Sequence, residues 1–340
     1  MWGIVITGNH KVELQHFDDP TPGPGEVVVG IAASGMCGTD LHRFRAAPEA
    51  GPPIIAGHEP AGIVVAVGQG VSPLLARQGM RVMIHHYAGC TVCDDCRSGW
   101  TQMCSSGSMQ LYGRDAHGSH APFMKVPAYT LIPLDERLSF AAGAAIGCGT
   151  GTAWGALRRL QLTGTETIAI FGQGPVGASA TMLAAAQDAR VIAIDLEPER
   201  LAAATAFGAW ATIDVRNDDA VAKILELTHG KGADLVLETS GSSAASAQSI
   251  RAAKRWGTIC FVGVGAVVSF DVYGILRKQL TMMTSWTMSY QEQRACADFV
   301  VARGLDLDRL FTDPWSLDQA QQAYVAFDRR TGGKGVFIVN

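Results

Sequence analysis

Four short apolar runs alternate with four helical stretches between residues 167 and 262, and this alternation limits the possible folds more than any other feature of the chain. The runs are almost continuously apolar, which is typical of parallel strands covered on both faces. The predicted strands are Thr167–Phe171, Val191–Asp195, Asp234–Glu238 and Thr258–Val262, and the predicted helices are Val176–Gln187, Pro198–Phe207, Ala220–Thr228 and Ala244–Ala253. Strands that alternate with helices predict a doubly wound parallel sheet, so we expect an α/β protein.

Residues 1–135 follow a different pattern, because short β-type runs are separated there by turns rich in glycine and proline. These runs are Val27–Ile31, Ile63–Val67 and Arg81–Ile84, and another short strand is predicted at Gly335–Val339. Such a pattern predicts an irregular, mostly β segment. We therefore expect a second domain, to which the chain returns after about residue 287.

The first predicted strand of the α/β segment is followed by GQGPVG at residues 172–177, which opens a helix. In a dinucleotide site the first glycine forms the tight turn, the second lets the backbone approach the pyrophosphate, and the third permits close packing of helix on strand. The free N–H groups at the helix N-terminus favour phosphate. We predict a nucleotide site that includes Gly172, Gly174, Pro175, Val176 and Gly177.

Asp195 ends the next predicted strand, where a carboxylate would accept hydrogen bonds from the adenosine ribose. It would also repel a 2′-phosphate, and Glu197 adds to that repulsion. Arg200 leaves NADP open, since a guanidinium pairs readily with phosphate. The sequence favours NAD over NADP, while a solvated acid without a role remains the alternative for Asp195.

The overall composition excludes several classes of protein. The chain of 340 residues is 48% hydrophobic and 17% charged, which is typical of a compact protein and is too apolar for a disordered one. Its 27 Lys and Arg against 31 Asp and Glu show no basic excess for nucleic acid. No stretch is predicted to span a membrane, and Met1–Ile6 does not resemble the start of a secretory signal, so we expect a cytoplasmic protein.

Four of the eight cysteines are crowded into one short segment with the spacing C-x2-C-x2-C-x7-C. They are Cys90, Cys93, Cys96 and Cys104. In a reducing compartment such crowding favours metal over disulfide, and four thiolates form a closed tetrahedral site for a structural Zn²⁺. Zinc ribbons in nucleic-acid modules share this pattern, but they lack a dinucleotide fingerprint.

Three glycine-flanked segments carry further candidate ligands: CGTDLH at residues 37–42, GHE at 57–59 and GCGTGT at 147–152. Two thiolates and one imidazole, from Cys37, His58 and Cys148, would leave the fourth position of a tetrahedral zinc open for chemistry. Spacing alone does not unite them, because Cys148 lies far along the chain from His58. On the residues alone, buried core positions remain the alternative.

The chain resembles the zinc-dependent medium-chain alcohol dehydrogenases, which carry the same motifs in the same order: CGTDLH, GHE, the four-cysteine segment, Cys148 and GQGPVG. The likeness covers nearly the whole chain. The resemblance implies a GroES-like catalytic domain in residues 1–148 and 288–340 and a Rossmann domain in residues 149–287. It implies two Zn²⁺ per subunit: a catalytic ion on Cys37, His58 and Cys148, and a structural ion on the four-cysteine segment. It also implies NAD, a small alcohol or carbonyl substrate, no nucleic-acid or membrane partner, and a homotetramer, with a dimer as the alternative.

The resemblance assigns roles to the residues around the catalytic ion. Thr39 would accept the proton of the alcohol and pass it, through the nicotinamide ribose, to His42 near solvent. Asp40 would orient His58, and Glu59 would act as a transient ligand or tune the charge behind the ion. A surface histidine without a role remains the alternative for His42.

Further roles concern the cofactor. Thr152, Val176 and Val264 would contact it, with ordinary core packing as the alternative for the first two. Gly38 departs from the pattern, because many relatives have a basic residue there that contacts pyrophosphate.

His86, four residues before Cys90, occupies a position that is aromatic or apolar in enzymes for simple alcohols. A polar pocket for a secondary alcohol such as a sugar, polyol or cyclitol is therefore predicted, unless the HHY segment only faces solvent. Cys148 pulls the other way, since polyol dehydrogenases of this family usually have an acidic ligand there. A simple alcohol dehydrogenase or carbonyl reductase stays open, as does a non-catalytic NAD-binding protein, which would need no open zinc site.

Overall fold

The structure, a computed structural model, describes residues 1–48, 50–329 and 332–339, with the side chain of Asp313 left out. It divides into two compact units. Unit 1 comprises Met1–Gly151, Met288–Arg330 and Lys334–Asn340, and unit 2 comprises Thr152–Thr287 and Thr331–Gly333. Among the described residues, no helix combines the length and apolar character needed to cross a bilayer.

The strands are β1 (Trp2–Gly8), β2 (Lys11–His16), β3 (Glu26–Gly35), β4 (Pro60–Val67), β5 (Arg81–Ile84), β6 (Tyr87–Ala88), β7 (Gln110–Leu111), β8 (Phe123–Pro127), β9 (Leu131–Pro133), β10 (Thr167–Phe171), β11 (Arg190–Asp195), β12 (Ala211–Asp214), β13 (Ala233–Glu238), β14 (Ala253–Phe261), β15 (Thr281–Thr284), β16 (Phe311–Trp315) and β17 (Lys334–Ile338). The α-helices are α1 (Gly38–Arg45), α2 (Asp94–Arg97), α3 (Phe140–Gly147), α4 (Gly149–Arg159), α5 (Pro175–Ala185), α6 (Pro198–Ala206), α7 (Ala220–Leu227), α8 (Ser243–Ala252), α9 (Val272–Ile275), α10 (Tyr290–Arg303) and α11 (Ala320–Asp328).

Unit 1 is built on a seven-stranded sheet in the order β16-β17-β3-β4-β5-β9, with β8 also paired to β3. The pairs from β17 to β9 are antiparallel. Alternate side chains of β3 and β4, including Val27, Val29 and Val64, meet in one buried cluster, as the two-residue period of a strand requires. The long strand β3 ends just before Cys37, so the first candidate ligand follows the end of a central strand of this sheet.

Unit 2 contains a six-stranded parallel sheet in the order β12-β11-β10-β13-β14-β15. The strand order reverses between β10 and β13, which is where such sheets bind ligands beyond the carboxyl ends of their strands. Four strands and four helices occur at the predicted places, and the predicted doubly wound parallel sheet is confirmed.

The two edge strands of this sheet, β12 and β15, were not predicted. Each has only four residues, ATID in one and TMMT in the other, and most of these side chains are partly exposed. An edge strand needs no apolar run because it is covered less completely than a central strand. Ala253, predicted as the end of a helix, instead begins β14.

Candidate functional site

The structure brings together Cys37, His58, Glu59 and Cys148, whose ligand-type atoms all lie within 4.8 Å of one another. Cys37 caps the N-terminus of α1, His58 and Glu59 directly precede β4, and Cys148 caps the C-terminus of α3. The two Sγ atoms are 3.8 Å apart. Three elements that are distant in sequence thus converge, and two thiolates with an imidazole form a donor set that suits Zn²⁺.

Asp40 orients this cluster from the first turn of α1. One oxygen of its carboxylate lies 3.3 Å from His58 Nδ1, and the other accepts a hydrogen bond of 3.0 Å from the Cys37 N–H. Because Nδ1–H donates to the carboxylate, the ring is turned so that Nε2 faces the cysteines, and a metal ion that displaces the Nε2 proton would bind there. Thr39 Oγ1 lies 3.4 Å from that Nε2.

The charges of the cluster follow from these contacts. A hydrogen bond from Cys148 lowers the pKa of Cys37 well below its usual value and raises that of Cys148. Burial disfavours the charged form of His58, but Asp40 and Cys37 outweigh it and raise the pKa of His58. These contacts therefore stabilise a Cys37 thiolate beside a protonated His58. A bound metal ion would provide the same positive charge beside the thiolate permanently.

Glu59 lies in this cluster and forms a fully buried ion pair that the sequence analysis missed. Lys334 Nζ is 2.5 Å from Glu59 Oε2 and donates a second bond of 3.0 Å to the Met36 carbonyl. Burial raises the pKa of Glu59 to about 7, although Lys334 opposes the shift. The available signal was a lysine inside the apolar terminal segment GGKGVFIV.

His86 is buried beside the same cluster, with 1% of its surface exposed. Its Nδ1 lies 2.9 Å from the Gly147 carbonyl, and its ring centroid lies 5.1 Å from that of His58. A carbonyl oxygen only accepts, so Nδ1 carries the proton and Nε2 is an acceptor. Burial lowers the pKa of His86, which keeps this ring neutral.

His85 points into a different environment. Its two ring nitrogens contact Gln293 at 2.9 Å and Thr101 at 3.1 Å. Burial lowers the pKa of His85 to about 4. The strand-end segment HHY therefore does not face solvent: each of its three side chains is buried.

His42 lies near the end of α1 and is exposed. Within the described parts of the chain its imidazole makes no hydrogen bond to the cluster. The structure thus places Thr39 against His58 but does not bring His42 to it.

The second group of four, Cys90, Cys93, Cys96 and Cys104, also has its sulfur atoms within 4.8 Å of one another. Cys90 and Cys96 are 3.9 Å apart, and the Cys93 N–H donates to Cys90 Sγ at 3.3 Å. Hydrogen bonds from the Cys96 backbone lower the pKa of Cys93 to about 7, and one from Ser106 lowers that of Cys104 to about 5. Four converging sulfurs without another donor type fit a closed structural zinc site.

The glycine-rich turn of unit 2 joins β10 to α5. Gly172 has φ +87°, a conformation that favours glycine. A Cβ on Gly177 would overlap the carbonyl oxygen of Gly172, whereas a Cβ on Gly174 would meet nothing. Pro175 and Val176 form the first turn of α5. The turn therefore leaves space at the second glycine and none at the third.

Asp195 is buried at the carboxyl end of β11 and holds this turn in place. One oxygen accepts from the Gln173 N–H at 2.5 Å, and the other accepts from the N–H groups of Leu196 and Glu197. The Arg200 guanidinium lies 3.8 Å from the carboxylate. Asp195 is thus a structural acceptor at the turn, and Arg200 partly offsets its charge.

Glu238, at the end of β13, was not singled out from the sequence. It is fully buried, and Oε1 accepts from the backbone of Ser240 and Gly241. Its signal was an acid that ends a parallel strand, as Asp195 does. Thr152 is buried in α4, and Val264 is exposed after β14.

Comparison with known proteins connects these features. Residues 23–136 match the alcohol dehydrogenase GroES-like domain, and residues 175–302 match the zinc-binding dehydrogenase domain. The chain is 34% identical to an uncharacterised zinc-type alcohol dehydrogenase-like protein of Escherichia coli over 100% of this chain and 98% of that protein. The chain belongs to the zinc-dependent alcohol dehydrogenase family.

Other members of this family extend the comparison. The chain is 29% identical to a sorbitol dehydrogenase of Bacillus subtilis, over 95% of this chain and 92% of that protein. Its structure resembles that of an alcohol dehydrogenase from Thermus sp. ATN1, with a TM-score of 0.92, 27% identity and complete coverage of both chains. Membership of the alcohol dehydrogenase family supports a zinc-dependent oxidoreductase that acts on alcohols with a nicotinamide cofactor.

Proposed function

We propose that this alcohol dehydrogenase interconverts a polar secondary alcohol, of the sugar, polyol or cyclitol class, and its ketone with NAD. The observation that carries the proposal is the convergence of Cys37, His58 and Cys148 within 4.8 Å. Two sulfurs and one nitrogen match the three protein ligands of a catalytic zinc, with the fourth position left for substrate. A zinc ion held there would supply a Lewis acid toward the alcohol oxygen, and NAD would accept the hydride.

Thr39 is proposed to accept the proton of the alcohol, and Asp40 is proposed to orient the metal ligand His58. Thr39 Oγ1, 3.4 Å from His58 Nε2, is placed to accept the proton of an alcohol that lies against the cluster. Asp40 fixes the ring of His58 so that Nε2 stays a ligand. His42, near solvent, would receive the proton from the relay, for which imidazole has a suitable ordinary pKa.

Glu59 is proposed to tune the charge of the site. One of its carboxylate oxygens lies within 4.8 Å of the sulfur atoms of Cys37 and Cys148, and Lys334 Nζ lies 2.5 Å from Oε2. Because Lys334 neutralises this carboxylate, we propose that Glu59 is not a permanent fourth ligand. The fourth ligand position would then remain open to substrate.

His86 supports the polar substrate class. Its neutral Nε2 is an acceptor next to His58, so it would bind a second hydroxyl group of a substrate whose reacting oxygen lies at the cluster. A site built to bond a hydroxyl discriminates strongly against analogues that lack it. The similarity to a sorbitol dehydrogenase supports the same class.

A simple alcohol dehydrogenase or carbonyl reductase is the second candidate function. Cys148 favours it, because the resemblance associates a cysteine ligand at this place with simple alcohols. The two candidates differ in whether a hydroxyl near the reacting carbon increases kcat/KM.

NAD is proposed over NADP because Asp195 and Glu197 would place negative charge where the adenosine ribose binds. Thr152, Val176 and Val264 remain the proposed contacts of the cofactor. Titration with NADH and NADPH by fluorescence would test the preference, and tighter binding of NADPH would contradict it.

The substrate class is tested by the absorbance of NADH formed from sugars, polyols, cyclitols, 2-propanol and ethanol. We expect the highest kcat/KM with a polyhydroxylated secondary alcohol. His86→Phe should lower that value by up to about 10-fold, because one hydrogen bond to a neutral group is lost, and should spare 2-propanol. His16→Phe, at an exposed histidine of β2, is the matched control. A wild-type preference for ethanol would reject the polar class.

A further inference from the structure

A cleft of about 460 Å³ in unit 2 lies away from the glycine-rich turn and is lined by five basic residues. They are Lys231, Arg251, Arg255, Arg277 and Lys278. Lys231 precedes β13, Arg251 precedes β14, and Arg277 and Lys278 precede β15. The cleft is therefore at the amino ends of these strands, whereas the glycine-rich turn follows the carboxyl end of β10.

The positive charge of the cleft is only partly balanced by the protein. None of its lining residues is acidic. Within the described ranges, the side chains of Lys231, Arg251, Arg255 and Arg277 form neither ion pairs nor hydrogen bonds. Asp271 accepts from the N–H of Gly274, which lines the cleft, at 3.1 Å, whereas Asp234 pairs with Lys254 and Glu226 pairs with Lys223.

Helix dipoles offset only a small part of this positive charge. The last turns of α7 and α8 reach the cleft through Leu225 and Arg251. Each helix C-terminus carries roughly half a negative charge. Two such ends and the Asp271 carboxylate leave an excess of about three positive charges among five basic side chains.

Lys278 is held in a defined position. Its Nζ donates to the carbonyl oxygens of Arg251 at 2.6 Å and Ala253 at 2.8 Å. An ammonium group has three donors, so one remains beyond these two bonds. The backbone thus fixes one cation of the cleft, while the arginines offer planar pairs of donors that match phosphate.

The cleft is also partly apolar, because Leu225, Ile250 and Ile275 contribute to its lining. Its volume lies in the range of small-molecule sites, roughly 300–1,000 Å³. We propose that this cleft binds an organic polyphosphate, such as a nucleoside di- or triphosphate, at a site separate from the nicotinamide nucleotide. The phosphates would meet the arginines, and the apolar residues would contact the organic part.

Isothermal titration of ATP into the full chain, with saturating NADH present, tests this site. We expect one ATP per chain, with affinity that falls as salt rises. Adenosine should not bind, and inorganic tripolyphosphate should bind at least 5-fold more weakly than ATP. Equal affinity for tripolyphosphate and ATP would overturn the organic part of the proposal, and loss of ATP binding when NADH is added would overturn a separate site.

The double variant Arg251→Gln/Arg277→Gln should weaken ATP binding at least 10-fold. Arg158→Gln/Arg159→Gln is the matched control, since these two arginines are exposed on α4 outside the cleft. Circular dichroism and NADH binding should be unchanged in both variants. Unaltered ATP binding by the first variant would overturn the proposal, as would a change in its mass by sedimentation, which would identify the cleft as an interface between copies.

Discussion

Buried contacts in unit 1 fix which ring nitrogen of two histidines carries a proton toward its partner. His86 bonds to the Gly147 carbonyl through Nδ1, and His58 bonds to Asp40 through Nδ1. In His86 the other nitrogen is thereby left as an acceptor, and in His58 it is turned toward the cysteines. The residue type was readable from the sequence, but the tautomer depends on a partner that only folding brings near.

His85 should make stability depend on pH. The pKa of His85 falls from 6.5 to about 4 in the folded chain because the ring is buried. The unfolded chain therefore binds the extra proton first, so stability present above pH 6.5 is lost as the pH falls toward 4, by ~3 kcal/mol. Urea unfolding of wild type and His85→Gln between pH 7 and 4, with zinc present, measures this. A variant with the same pH dependence as wild type would refute it, and His16→Gln is the surface control.

Removal of Lys334 should destabilise unit 1 strongly. Lys334→Met leaves the Glu59 carboxylate buried without its cation, which costs about 3–5 kcal/mol. The double variant Lys334→Met/Glu59→Gln should recover most of the loss, because no buried charge is left unpaired. Thermal and urea unfolding check this, and equal stability of the single and double variants would argue against the pair.

At the scale of elements, the turn between β10 and α5 depends on the absence of side chains. Gly177 packs against the Gly172 carbonyl, and Gly172 itself has φ +87°. Asp195 then ties the turn to the end of β11. The motif predicted the role of each glycine. The hydrogen bond from the Gln173 N–H to Asp195 depends on the pairing of β10 with β11 in the fold.

Two alanine substitutions should separate folding from cofactor binding. Gly177→Ala should lower the free energy of unfolding by about 1–3 kcal/mol, because its Cβ overlaps backbone. Gly174→Ala should leave the melting temperature unchanged but weaken NADH binding, since a methyl group would occupy the approach of the pyrophosphate. Calorimetry and NADH fluorescence measure both, and a stable Gly177→Ala variant that binds NADH normally would contradict the assignment.

At the scale of the molecule, the described residues include two cysteine-containing clusters with different donor sets. One is Cys90, Cys93, Cys96 and Cys104, and the other adds His58 and Glu59 to two cysteines. Four thiolates close a tetrahedron, whereas three ligands leave a position for chemistry. The homotetramer expected from the resemblance stays a prediction.

Metal analysis of two cysteine variants should distinguish the clusters. Wild type should contain two zinc ions per chain. Cys93→Ser should lose one and melt at a lower temperature, because the loop around Cys90–Cys104 is no longer cross-linked. Cys37→Ser should lose the other together with activity, at a smaller cost in stability. One zinc in wild type, or full activity of Cys37→Ser, would refute the assignment.

The sequence by itself determined the four central strands of the parallel sheet, the glycine-rich turn and the four-cysteine cluster, because each is a local pattern whose period or spacing carries its physical reason. It also supplied Cys37, His58 and Cys148 as candidates, united only through a resemblance. The tertiary structure alone decided that Lys334 pairs with Glu59, that His86 lies against His58, and that five cations from separate segments of the chain line one cleft. These depend on contacts between residues far apart in the chain, whose distances no local pattern encodes.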